Sequence, residues 1–124
     1  MQDGDLMGPI VASREFIWTR IDGATFPAFA EIGVPFQLPP NDDGTAGDWA
    51  CKVRTRGLGD NSIQTVVGVD TIQAIYLAMV QAGFRVGQSV IASDLDFAAL
   101  PNYGFPPPPV APNGPAGAGC VPCQ

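Results

Sequence analysis

The chain has no histidine in its 124 residues. That removes His-based nucleophile triads, imidazole general bases and the donor sets of most catalytic zinc sites. Basic residues are scarce as well: six Lys and Arg stand against twelve Asp and Glu, for a formal charge of −6. An acidic whole-chain field neither steers a protein to phosphate backbones nor supplies counterion release, so nucleic acid and anionic membrane surfaces are disfavoured as partners. Three cysteines are an odd number and too sparse for a disulfide scaffold, which agrees with a reducing compartment and points to the cytoplasm. Long apolar runs are missing too. The best stretch, residues 71–92, is interrupted by Gln73, Gln81, Arg85 and Gln88 and falls short of the ~20 apolar residues that span a bilayer. The opening residues carry Asp3 and Asp5, with neither a basic nor an apolar run, and do not read as a signal peptide.

What is present is organised around residues 68–80, where an apolar strand pattern runs into the only long helical one. Asp70 is a good N-cap, and Gln73 three residues on can bond back to the Asp70 N–H. Ile72, Ile75, Tyr76, Met79, Gly83 and Val86 recur at three- and four-residue steps and form the expected buried face. Upstream, residues 13–21 are rich in aromatic and β-branched types, and Asp22-Gly23 reads as a two-residue hairpin turn. That turn would pair Thr19 with Phe26, Trp18 with Pro27 and Phe16 with Phe29, sending Phe26, Ala28, Ala30, Ile32, Val34, Ile17 and Ile21 to the core. Pro27 and Pro35 mark the second strand as an edge or bulged one. After a loop over 37–48, Trp49, Cys51, Val53 and Thr55 alternate with Ala50, Lys52, Arg54 and Arg56; a turn over 57–62 leads to Ile63, Thr65, Val67 and Val69 as the next inward set.

The expected fold is therefore α+β: a four-stranded antiparallel β-meander with one long C-terminal helix packed on one face. Trp49, Cys51, Val53, Ile63, Val67, Val69, Ile72, Ile75, Tyr76 and Met79 are its predicted core. Residues 1–11 read as a flexible leader and 12–100 as a single domain. Residues 101–124 read as a disordered Pro/Gly-rich tail that cannot bury enough apolar surface to offset its ordering entropy.

Trp49-Ala-Cys-Lys-Val53, followed by Gly68-Val-Asp-Thr-Ile-Gln-Ala-Ile-Tyr-Leu-Ala78, resembles the pattern of a family of small, uncharacterised bacterial proteins known as a domain of unknown function. The resemblance covers residues 14–86. It implies a compact α+β domain and carries over no activity and no catalytic residue.

Among groups able to do chemistry, Cys51 points inward from a strand and reads as a small core residue rather than a reactive thiol. Cys120 and Cys123 have the spacing of a redox or zinc half-site but sit in the tail with no helix N-terminus to activate them, so they are weak metal candidates and no cofactor is expected. Asp42, Asp43 and Asp48 lack the spacing of a calcium loop. One constellation stands out. In the two-residue-turn register the sheet face away from the helix collects Arg14, Phe16, Trp18, Arg20, Phe29, Lys52, Arg54 and Arg56, including five of the six basic residues. Such a face can be simply solvated, with arginine stems covering exposed rings. It also has the composition of an interface hot spot. The expected function is a non-enzymatic protein-binding module, of immunity, inhibitor or accessory type, docking an unidentified protein partner as a monomer or homodimer. The alternative is a small anionic ligand or single-stranded nucleic acid on the same face.

Overall fold

The computed structural model of the chain describes residues 6–109. Among the described residues five strands, β1 (Ile10–Thr19), β2 (Thr25–Gly33), β3 (Phe36–Gln37), β4 (Trp49–Arg56) and β5 (Ile63–Gly68), precede the long α-helix, α1 (Thr71–Gly87), and two short 3-10 turns at Ala92–Asp94 and Pro101–Gly104. All pairings are antiparallel. β3 resumes the line of β2 beyond Pro35 and pairs the start of β4, so the sheet is the expected meander with its second strand broken in two. Pro27 is tolerated in a strand flanked on both sides because β4 pairs only residues 29–32 of β2. At the other end, β1 already begins at Ile10 and Met7 is buried, ahead of the expected boundary at residue 12.

The helix starts at the expected Asp70 cap, but the Gln73 side chain bonds back to the Val69 N–H rather than to that of Asp70. The Asp70 carboxylate accepts from the Gln73 N–H at 2.8 Å, and the Gln73 side chain accepts from the Val69 N–H at 2.7 Å. Its buried face differs from the expected one. Ala74, Ala78 and Ala82, at four-residue steps, lie against the sheet with Val86, while Ile75 and Met79 flank them and Ile72 is 78% exposed. Small residues let the two backbones approach closely. A Cβ added to Gly68 would lie 2.6 Å from the Ala74 nitrogen. This close approach also sets the parity of β5. Gln64, Val66 and Gly68 face the helix, and Ile63, Thr65 and Val67 face away, opposite to the predicted inward set. Trp49, Cys51, Val53, Ile75, Tyr76 and Met79 are buried or half-buried as expected; Val67, Val69 and Ile72 are exposed.

The larger correction is in the first hairpin. The Arg20 N–H donates to the Ala24 carbonyl and the Gly23 N–H to the Arg20 carbonyl, which closes a three-residue loop, 21–23, with Gly23 at φ +89°. The register slips by one residue relative to a two-residue turn: Trp18 pairs with Phe26 and Phe16 with Ala28. Phe16 thereby becomes a fully buried core residue beside Ala28, Ala30, Ile32, Cys51 and Val53.

Residues 95–109 complete the layer on that side. The helix lies mainly over β4 and β5, and this C-terminal strap covers β1 and β2. Phe97 meets the Phe16 ring edge-on at 5.3 Å between centroids, and Phe105 tilts against it at 6.3 Å. A Cβ on Gly83 would lie 2.9 Å from the Phe105 Cβ, so this helical glycine makes room for the strap. The Tyr76 hydroxyl donates to the Pro107 carbonyl at 2.7 Å. The domain therefore extends past the expected boundary at residue 100; the expected disordered tail beyond residue 109 lies outside the described residues, as do Cys120 and Cys123.

Candidate functional site

The one-residue slip divides the predicted basic-aromatic face between the two sides of the sheet. Phe29, Lys52, Arg54 and Arg56 lie on the face away from the helix, with Glu15, Ile17, Glu31, Ile63, Thr65 and Val67. Arg14, Phe16 and Trp18 lie on the helix and strap side, and Arg20 sits at the hairpin end in an ion pair with Asp22.

On the outer face the register places Glu31 opposite Arg54 and Phe29 opposite Arg56. Arg54 donates from Nε and Nη2 to Glu31 Oε1 at 2.9 and 2.8 Å, and Arg56 donates to Oε2 at 2.9 Å. Burial alone would raise the Glu31 pKa, but hydrogen bonds from both guanidinium groups outweigh it and hold the carboxyl below its ordinary value. Arg54 is almost wholly covered, whereas the Arg56 side chain is 45% exposed and its Cζ lies 4.6 Å from the Phe29 ring centroid. Lys52 donates to the Leu6 carbonyl and lies over the Phe36 ring. The face is thus less basic than its composition suggests: Glu31 spans two arginines, and Arg56 is the one whose fork reaches solvent against an aromatic ring.

On the other side, Arg14 is half-buried and lies over two rings, its Cζ 4.9 Å from the centroids of both Phe97 and Phe105. Its Nη1 donates to the Tyr103 carbonyl at 2.9 Å. The strap pays for this approach with backbone conformation: Asn102 and Tyr103 stand at φ +50° and +56°, and Gly104 at +82°, where a Cβ would come 2.6 Å from Arg14 Nη1. Sequence reasoning missed this cluster because Phe97, Tyr103 and Phe105 fall in or beside a segment read as low complexity. Trp18 packs on Phe26 at 5.3 Å, and its buried Nε1 has no acceptor among the described residues.

Two further groups have structural roles. Arg85, buried on the helix, donates to the carbonyls of Val53 and Asp60 and ties the β4–β5 turn to α1. Cys51 is fully buried, and burial pushes its thiol up, in keeping with a core residue. Among the described residues no cluster of His, Cys, Asp and Glu has the arrangement of a metal site, and no helix is long and apolar enough to cross a membrane.

A family profile described as a domain of unknown function (DUF6968) matches residues 24–107. The matched span includes most of the strap, which lies outside the expected span of 14–86, and leaves out β1. Neither a curated protein nor a solved structure matches the chain. The Gly68-Val-Asp-Thr-Ile-Gln-Ala pattern has a structural explanation in the strand-to-helix junction: Gly68 for close approach, Asp70 and Gln73 for capping, Ala74 and Ala78 for the helix–sheet seam.

Proposed function

Starting from a chain that belongs to the DUF6968 family, we propose a non-enzymatic protein-binding module of bacterial type that works in the cytoplasm and docks through the outer face of its sheet. The observation that carries this reading is the Glu31–Arg54–Arg56 group beside Phe29. Glu31 anchors Arg54 and orients Arg56, so an exposed guanidinium stands over a half-buried ring in a preset geometry. Exposed Ile17 and Val67 extend apolar surface on the same face. A partner would bring a carboxylate to Arg56 and apolar contact to Phe29, the pairing of a charge-assisted fork with an aromatic anchor that recurs at binding hot spots. The free, buried Cys51 suits a reducing compartment.

The test uses a protein recovered from source-cell extract and then purified. Arg56→Ala and Phe29→Ala should each weaken its binding by ~1–3 kcal/mol, with added salt eroding the arginine contribution more than the phenylalanine one. Equal affinity of wild type and the double variant would place the docking surface elsewhere.

A further inference from the structure

A cavity of about 130 Å³ opens between the start of β1, the helix and the strap. Its floor is apolar and buried, made by Ala30 and Ile32 of β2; Met79, Phe105 and Pro106 line it from the helix and strap side. Ala12 and Ser13, both exposed, line it from the edge strand, and Arg14 contributes the one charged side chain. This volume is close to the roughly 150 Å³ that accommodates one benzene ring in an apolar protein cavity.

Arg14 differs from the arginines across the sheet in having no carboxylate partner among the described residues. Its Nη1 is taken by the Tyr103 carbonyl, while the Nε–Nη2 edge has no protein acceptor among the described residues and is not sealed from solvent. That edge is the side of a guanidinium that binds a carboxylate through two parallel hydrogen bonds. The stem cannot swing away freely, because the rings of Phe97 and Phe105 both lie 4.9 Å from the guanidinium carbon and Gly104 closes behind Nη1. The left-handed backbone at Asn102 and Tyr103 is the local cost of bringing the Tyr103 carbonyl to that position. A fixed cation with an open donor edge, beside an apolar cavity of single-ring size, matches a small amphipathic anion.

We infer that the cavity beneath the strap binds a small organic monocarboxylate, its short or planar apolar body resting on Ala30, Ile32 and Met79 and its carboxylate held by the free edge of Arg14. This site is separate from the outer-face docking surface and on the opposite side of the sheet. Neither depends on the other.

The test is a titration of the full chain with three probes: benzoate, benzyl alcohol, which keeps the ring without the charge, and inorganic phosphate, which keeps the charge without the ring. Methyl resonances of Ile32 and Met79 give the readout. Benzoate should shift both saturably and bind about tenfold or more tightly than either of the others, since a charge-assisted fork and ring burial both contribute. Arg14→Gln should remove most of the preference of benzoate over benzyl alcohol. Ala12→Trp, a change at an exposed rim position, should weaken benzoate and benzyl alcohol together while leaving the fold intact. Absence of saturable shifts with benzoate, equal binding of phosphate, or an unchanged benzoate preference in a folded Arg14→Gln protein would each overturn the assignment.

Discussion

The two faces of the sheet each hold arginine against aromatic rings, and they stabilise it in different ways. On the outer face Glu31 neutralises Arg54 directly and shares its second oxygen with Arg56. Beneath the strap Arg14 has two rings and a backbone carbonyl, and no carboxylate among the described residues. Carboxylate pairing on the outer face uses up the donor edge of Arg54, so Arg54 scaffolds and Arg56 is presented. Ring stacking on the inner side leaves the Arg14 donor edge free. Counting basic residues on a face therefore overstates how many are available to a ligand; what decides it is which atoms of each guanidinium are already committed.

The contrast between the faces can be sharpened with one acidic substitution on each. Ala78→Asp places a charge where the helix meets the sheet and no countercharge is available. It should cost several kcal/mol, enough to unfold a domain whose total stability is of order 5–10 kcal/mol. Val67→Asp, on the outer face at 46% exposure, should change stability by no more than about 1 kcal/mol, although the alternation in β5 had marked Val67 as core. Thermal or denaturant melts of the two variants read the difference, and similar losses in both would contradict the assigned parity of β5.

An effect between those two is expected from Glu31→Gln, which breaks the outer-face arrangement and leaves Arg54 covered without its countercharge. The variant should lose about 2–3 kcal/mol at pH 7. Because the Glu31 pKa is lowered on folding, its contribution is fully present above the ordinary Glu value of 4.5 and is lost as pH falls through the folded-state value. The stability gap between wild type and variant should therefore close below that point. A gap that stayed constant from pH 7 to pH 3 would show that Glu31 acts through packing alone.

Much of the fold was legible from local signals. The Asp70 cap, the alternation of β4 and the length of the helix each follow from residues whose local preference and tertiary role agree. The candidate site was less legible, for two physical reasons. Asp22-Gly23 suits a two-residue turn, but it equally ends a three-residue loop with glycine in the left-handed position; the choice decides which side of the sheet receives Arg14, Phe16 and Trp18. The second reason is that alanine and glycine carried the helix–sheet seam while larger residues were left at its margins. Hydrophobicity ranks Ile72 above Ala74, yet close backbone approach at Gly68 favours the smaller side chain. The aromatic residues of the strap are spaced too irregularly among prolines to show a period, and their role emerges only from contact with Phe16.

The central claim is that the first hairpin turns Phe16 inward, beneath the strap, which divides the arginines between two faces. Aromatic NOEs in the full chain test it most directly. The account predicts strong cross-peaks between the Phe16 ring and those of Phe97 and Phe105, 5.3 and 6.3 Å away between centroids, and none between Phe16 and Phe29. Cross-peaks from Phe16 to Phe29, with none to Phe97, would restore the two-residue turn and return Phe16, Trp18 and Arg14 to the outer face.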